Sequence, residues 1–311
     1  MKNILKRFAV LCCCALLAGA CSDDEASASR RALEEAIRAA ETLLATSTEG
    51  LEEGNIAPGS KAVLQTRIDQ AYHIMNNTSW DEGYDNAVAL LEAAVAAFRE
   101  NIVKAGIPYF GAGSKMNLGP VGDWDLTGAF TLEMKLRFDE LVGGDQNVIS
   151  CEQGNAAIMI RNNGNQLQFY IFDTGWCGGT VCTIEQDRWY HIAASYEAGG
   201  RMRFYLDGKP VWSTPCGTAT VVPTVDLQLG TAPSYANRYM RGNIQHLSVW
   251  ADVRTDEEVA ADAACALTGE EEGLKAYWPL TLNVGTEILD KTGRRTAVLT
   301  DVAWHDAEQD S

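Results

Sequence analysis

The sequence predicts a mainly β protein, an antiparallel sandwich preceded by a small three-helix bundle. Three observations carry the prediction. Apolar residues recur at spacings of three and four over residues 29–105. Short segments of period-two alternation, punctuated by Gly, Asn and Asp, then run over residues 107–305. Within that second region only one stretch, Thr255 to Ala266, has helical spacing.

In the first helix Leu33, Ile37, Ala40 and Leu44 form one buried stripe among Arg and Glu. The second is expected to start after Pro58-Gly59 with Ser60 as its cap, carrying Leu64, Ile68, Ala71 and Met75 on one face. Ser79 and Glu82 have the spacing of a capping box for the third, which continues with Tyr84, Val88, Leu91, Val95, Phe98 and Ile102. Two short connections between three stripes give an up-down-up bundle, and His73 and Trp80 read as packing residues.

The strand candidates are residues 130–138, 147–151, 156–162, 166–173, 189–197, 201–211, 225–231 and 243–253. Asp207-Gly208 between two apolar runs is a hairpin signal. Thr255, with Glu258 three residues later, caps the single helix. Trp189 and His191 share a strand face with Ile192 on the other, and Trp250, on the face of Ser248, reads as core. Arg254 reads as a tie between the helix start and the sandwich, through carbonyls or a carboxylate.

The first residues, Lys2, Lys6 and Arg7, then the apolar run Phe8 to Leu17, then Ala18-Gly19-Ala20 before Cys21, resemble a bacterial lipoprotein signal. The run is too short for a transmembrane helix, which needs about 20 apolar residues. The resemblance implies a signal peptide over residues 1–20 and lipid attachment at Cys21. Residues 21–28 then hold the anchor and an acidic linker. Its tract Ser22-Asp23-Asp24-Glu25 resembles the export signal that places lipoproteins of the Bacteroidetes on the outer face of the outer membrane; an ordinary solvated linker has the same composition. The expected address is therefore an outer-membrane lipoprotein exposed at the surface, touching the membrane through its lipid only. Cleavage removes three positive charges and no negative ones, moving the net charge from -17 to -20. Such a chain is not expected to bind nucleic acid.

The stretches LEEAIRAAETLL, PGSKAVLQTRIDQAY and YDNAVALLEAAVAAF resemble the FIVAR family of helical modules, which implies a spacer or a binding module. RWYHIAASYEAGGRMRFYLDGKPV, LGT, MRGNIQHLSVWADVRTDEEV and LKAYWPLT before DKTG occur in the order found in laminin-G-like and concanavalin A-like jelly rolls, which they resemble over residues 107–305. That resemblance implies two stacked antiparallel sheets with ligands taken at rim loops or on one concave face. Residues 306–311 form a polar tail.

The expected partner is a glycan or glycoprotein, bound without turnover. Sugar binding needs aromatic rings for pyranose faces and polar side chains for hydroxyls. Trp176 among the glycines after Phe172, and Tyr235, Asn237, Arg238 and Tyr239 on a connection between strands, meet that need, although ordinary loop packing uses the same residues. Adhesion or assembly through protein contacts is the alternative. Glycoside hydrolysis is a third, and requires two carboxyl groups about 5 Å apart in a retaining enzyme. The E-x-D-x-x-E strand of β-glucanases with this fold is absent: Glu185 and Asp187 sit in a polar turn, and Glu133 stands alone between Leu132 and Met134. The resemblance also implies calcium, for which Asp123, Asp125, Asp145 and Asp290 are the candidate ligands, without an EF-hand-like string. Beyond the leader and Cys21, Cys151, Cys177, Cys182, Cys216 and Cys265 remain. Cys177 and Cys182 bracket four residues and can close that loop, while Cys151 or Cys216 can equally take either partner.

Overall fold

The computed structural model describes residues 27–306 except 127, 155–157, 173–174 and 219–222. The leader, Cys21, most of the acidic linker and the end of the polar tail lie outside the described residues. No helix among the described residues is long and apolar enough to cross a membrane.

Three helices come first: α1 (Ala28–Thr46), α2 (Ser60–Asn77) and α3 (Asp81–Glu100). Their interior is made by the expected stripes, with Leu33, Ile37, Leu64, Ile68, Tyr84, Leu91 and Phe98 all buried. The starts differ from expectation. Gly59, at φ 88°, occupies the cap position of α2, and Ser60 is already helical. The box of Ser79 and Glu82 does not form, because Trp80 is the capping residue of α3 and makes no side-chain cap bond. Asp81 and Glu82 instead place negative charge on the first turn, where the helix dipole favours it. Trp80 is 61% exposed, since its extended backbone takes it off the helical stripe, and His73, two residues past Ala71, is also turned to solvent.

The sandwich begins with β1 (Lys104–Ala105), β2 (Ile107–Phe110) and β3 (Lys115–Pro120). Then follow β4 (Ala129–Phe138), β5 (Asp145–Ser150), β6 (Ile158–Asn163), β7 (Gln166–Phe172) and β8 (Trp176–Thr183). Next come β9 (Trp189–Glu197), β10 (Arg201–Leu206), β11 (Lys209–Pro215), β12 (Asp226–Leu229) and β13 (Gly242–Trp250). After α4 (Asp256–Ala264) the chain closes with β14 (Leu274–Trp278), β15 (Leu282–Asn283), β16 (Glu287–Leu289), β17 (Thr296–Thr300) and β18 (Ala303–His305).

The first sheet runs β11-β10-β9-β4-β13-β2-β18, with β14 beside the second half of β13. The second runs β16-β17-β3-β12-β5-β6-β7-β8. Every pairing between these strands is antiparallel. The alternation of β4 explains the layering. Phe130, Leu132, Met134, Leu136 and Phe138 enter the core between the sheets, and Thr131, Glu133, Lys135 and Arg137 point the other way. Asp207 and Gly208, at φ 50° and 74°, make the expected hairpin between β10 and β11.

Thr255 accepts from the Glu258 N–H while Glu258 accepts from the Thr255 N–H, the full capping box. Arg254 ties that helix down through carboxylates, reaching Glu258 at 3.1 Å and Asp262 at 2.9 Å, with its guanidinium 3.8 Å from the ring centre of buried Trp250. The segment around Trp176, read as a loop, is strand β8; its glycines hide the strand pattern but not its pairing with β7. Cys177 and Cys182 therefore cannot close a loop. They oppose Ile171 and Leu167, four residues apart on β7, so roughly 13 Å of strand separates them, and a disulfide tolerates about 7 Å between Cα atoms.

Candidate functional site

The outer surface of the second sheet gathers the predicted binding residues. Trp176, on edge strand β8, opposes Phe172, and its 43% exposed ring meets those of Phe172 and Tyr170 edge-on at 5.4 and 6.1 Å between centroids. On the next strand Arg161 lies over Tyr170, its guanidinium carbon 5.4 Å from the ring centre. Arg161 also holds Gln168 at 2.8 Å and Asp145 of β5 at 2.7 Å. Asp145 is shared with Arg238, at 3.5 Å, which in turn reaches Glu152 at 2.8 Å and stacks on Tyr235 at 4.2 Å. A chain of contacts thus runs from Trp176 to Asp145 across four strands, roughly 14 Å at the spacing of a sheet, and on through Arg238 to Tyr235 on the connection after β12.

The connection after β12 is fixed at its base. The Arg238 backbone carbonyl accepts from the Asn147 N–H at 3.1 Å, and Asn147 bridges to Tyr239. Asn237, exposed at φ 65°, makes the reversal before it. Tyr235 and Tyr239 then wall a depression of about 360 Å³ with Lys115 and Gln228. The Asn147 side chain is fully buried, and neither amide atom has a hydrogen-bond partner. Of the five residues chosen from the sequence, four join this surface directly and Asn237 shapes its loop. Tyr170, Arg161 and Glu152 were missed. Alternation marks Tyr170 and Arg161 as outward-facing, but only the register of β5, β6 and β7 makes them neighbours.

The four aspartates named for calcium are not brought together. Asp145 is held by two arginines, as above. Asp290 is filled: its oxygens accept from Tyr277 N, Thr292 N, Thr292 Oγ1, Arg294 N and Arg295 N. Burial opposes ionisation there, but those donors outweigh it and hold the carboxyl below the usual range. Beside Asp123 and Asp125 the backbone carbonyls of Asp123 and Trp124 accept from Arg295 and Lys275. Protein cations stand where a metal would draw on those oxygens, and no cluster of three His, Cys, Asp or Glu suited to a metal occurs among the described residues. These positions do not fit a calcium ion.

A second concavity, about 430 Å³, lies on the outer face of the first sheet beside α4. Glu133 and His191 form its floor, with Trp189, His246, Asp262 and Tyr277 around them. Glu133, alone in the sequence, has His191 Nε2 3.3 Å from its Oε2, an ion-pair distance without hydrogen-bond alignment. Burial pushes this carboxyl up to about 6, against the pull of His191. Of the other carboxylates lining the pocket, Asp262 is held by Arg254 at 2.9 Å, and Asp207 accepts from the His191 backbone N–H at 3.0 Å and pairs with Arg188 at 3.4 Å. The raised value has a sign in stability: the folded state keeps the Glu133 proton longer than the unfolded chain. Its contribution is full below about pH 4.5 and is lost as pH rises through 6. Glu133→Gln removes the ionisation. In urea titrations its stability is expected to gain about 2 kcal/mol on the native protein between pH 4 and pH 7.

Residues 110–260 match the family described as the Concanavalin A-like lectin/glucanases superfamily, of laminin-G type. Among solved structures, the chain is similar to a Bacteroides ovatus protein assigned to carbohydrate binding, with a TM-score of 0.54 and 19% identity over 65% of this chain and 60% of that one. It thus spans about 60% of that protein's length. It is also similar to a heptameric SAP-like pentraxin from Limulus polyphemus, with a TM-score of 0.48, 13% identity and coverage of 67% and 97%. A third likeness is to the CBM40 of a Ruminococcus gnavus IT-sialidase, bound to α2,3 sialyllactose, with a TM-score of 0.44, 14% identity and coverage of 52% and 98%. No curated protein matches the chain. The sandwich has a concanavalin-like jelly-roll fold, and the matched residues 110–260 lie within it.

Proposed function

We propose that this jelly-roll domain is a carbohydrate-binding module that takes an oligosaccharide along the outer surface of its second sheet, without turnover. One observation carries the reading: an exposed tryptophan braced edge-on by two aromatic rings opens a continuous strip of Tyr170, Arg161, Asp145, Arg238 and Tyr235. The rings supply flat apolar faces for pyranose rings, and the arginines and aspartate supply donors and acceptors for hydroxyls. The strip is longer than a single sugar, so several residues of a glycan or glycoprotein would be read together. Similarity to a protein assigned to carbohydrate binding supports the reading at the level of the fold.

In the same reading the chain is a surface lipoprotein held by acyl groups on Cys21, the helical bundle is a spacer, and nucleic acid is no partner of so acidic a chain. The test is a glycan array with the soluble fragment from Ser22 onward, beside Trp176→Ala, in calcium and in chelator. Specific binding is expected, weakened at least about tenfold in the variant, which corresponds to about 1.4 kcal/mol, and indifferent to chelator. Silence of the native fragment under both conditions overturns the reading and moves the weight to a protein partner.

A further inference from the structure

β8 is the edge strand of the second sheet and β11 the edge strand of the first, and the two run alongside each other. Cys177 follows Trp176 on β8 and points inward, opposite Ile171. Its Sγ donates to the carbonyl of Pro215, the last residue of β11, at 3.4 Å. Cys216 is the next residue. A peptide oxygen lies about 2.8 Å from the following Cα, so the Cys216 Cα is within about 6 Å of the Cys177 sulfur. Cys216 Sγ, half-buried like Cys177, donates to the Glu197 carbonyl at 3.0 Å, and both side chains pack against the main core.

We propose that Cys177 and Cys216 form a disulfide that staples the two sheets together at their open edge, directly beside Trp176. The reaction breaks two S–H bonds and forms one S–S bond. The two protons and two electrons pass to an external small-molecule disulfide, whose S–S bond breaks to give two thiols. The other cysteines are set apart from it. Cys151 is fully buried, and burial raises its thiol to about 12; burial also raises Cys182 to about 11, so neither supplies thiolate for exchange at neutral pH. Cys265 ends α4 and lines the Glu133 pocket. The bridge closes a loop of about 40 residues, a length at which a cross-link removes much unfolded-state freedom.

The test is peptide mapping of the native chain after equilibration with oxidised glutathione, alkylation in denaturant and digestion without reductant. A peptide joining Cys177 to Cys216, lost on treatment with a phosphine, is the expected result. Reduction should lower the melting temperature by roughly 8 °C, and Cys177→Ser and Cys216→Ser should each melt at the reduced value, insensitive to reductant. Alkyl groups on both cysteines in the oxidised sample, or either joined to another cysteine, overturns the proposal. Because mapping reads the bond and not a ligand, failure of the sugar-binding reading leaves this result intact.

Discussion

Gly242→Ala is expected to cost more than about 4 kcal/mol and to leave little native protein at 37 °C, the signature of a backbone position with no room for a side chain. Gly242 opens β13 in the middle of the first sheet, paired with Phe138 of β4 on one side and Phe110 of β2 on the other. A Cβ built there falls 1.9 Å from the Arg137 carbonyl oxygen. That oxygen is backbone, and β2 and β4 on either side are held by the core residues Phe110 and Phe138, with Ile244 holding β13 itself, so nothing can yield locally. Gly178 gives the informative contrast. Its added Cβ would fall 2.0 Å from the Phe169 carbonyl oxygen, at φ 129°, but β8 is an edge strand that can peel away. Thermal melts should show a large drop for Gly242→Ala and a smaller one for Gly178→Ala. If both variants melt with the native protein, the account of these contacts fails.

The second large effect is expected from Arg238→Ala. The guanidinium bridges Asp145 and the nearly buried Glu152, whose side chain is 7% exposed, and lies on Tyr235. Alanine leaves the Glu152 charge uncompensated. Removing one partner of a buried pair costs about 3–5 kcal/mol, of which the lower end is expected because Asp145 keeps Arg161. Under the sugar-binding reading, affinity falls as well, since the Tyr235 ring loses its support. Arg238→Lys separates the roles: one point charge cannot span two carboxylates and stack on a ring, so stability recovers in part while binding does not. Urea titrations at pH 7.5, with glycan titrations of all three proteins, would decide it; an Arg238→Ala chain as stable as the native one contradicts the argument.

Local chemistry was legible in the sequence wherever a few neighbouring residues decide it. The helical stripes, the Asp207-Gly208 turn, the Thr255–Glu258 box and the outward set of Trp189 and His191 all follow from spacing. Non-local pairing was not legible. Asp145 read as a metal ligand because an aspartate between glycine and glutamine gives no sign of the arginines that register brings to it from β6 and the loop before β13. Glu133 read as solitary because His191 reaches it from a neighbouring strand. β8 read as a loop because its glycines, which let Gly178 sit close to the Phe169 backbone, erase the alternation.

The last strand of the sandwich, β18, lies against its first full strand, β2, with His305 opposite Ile107. A Cβ on Gly106 would sit 3.2 Å from the His305 carbonyl oxygen. The sandwich is therefore entered and left at almost one point. Such a body behaves as an insertable cassette: spliced into a surface loop of an unrelated host, it asks the host to hold two chain ends side by side and to bend nowhere else.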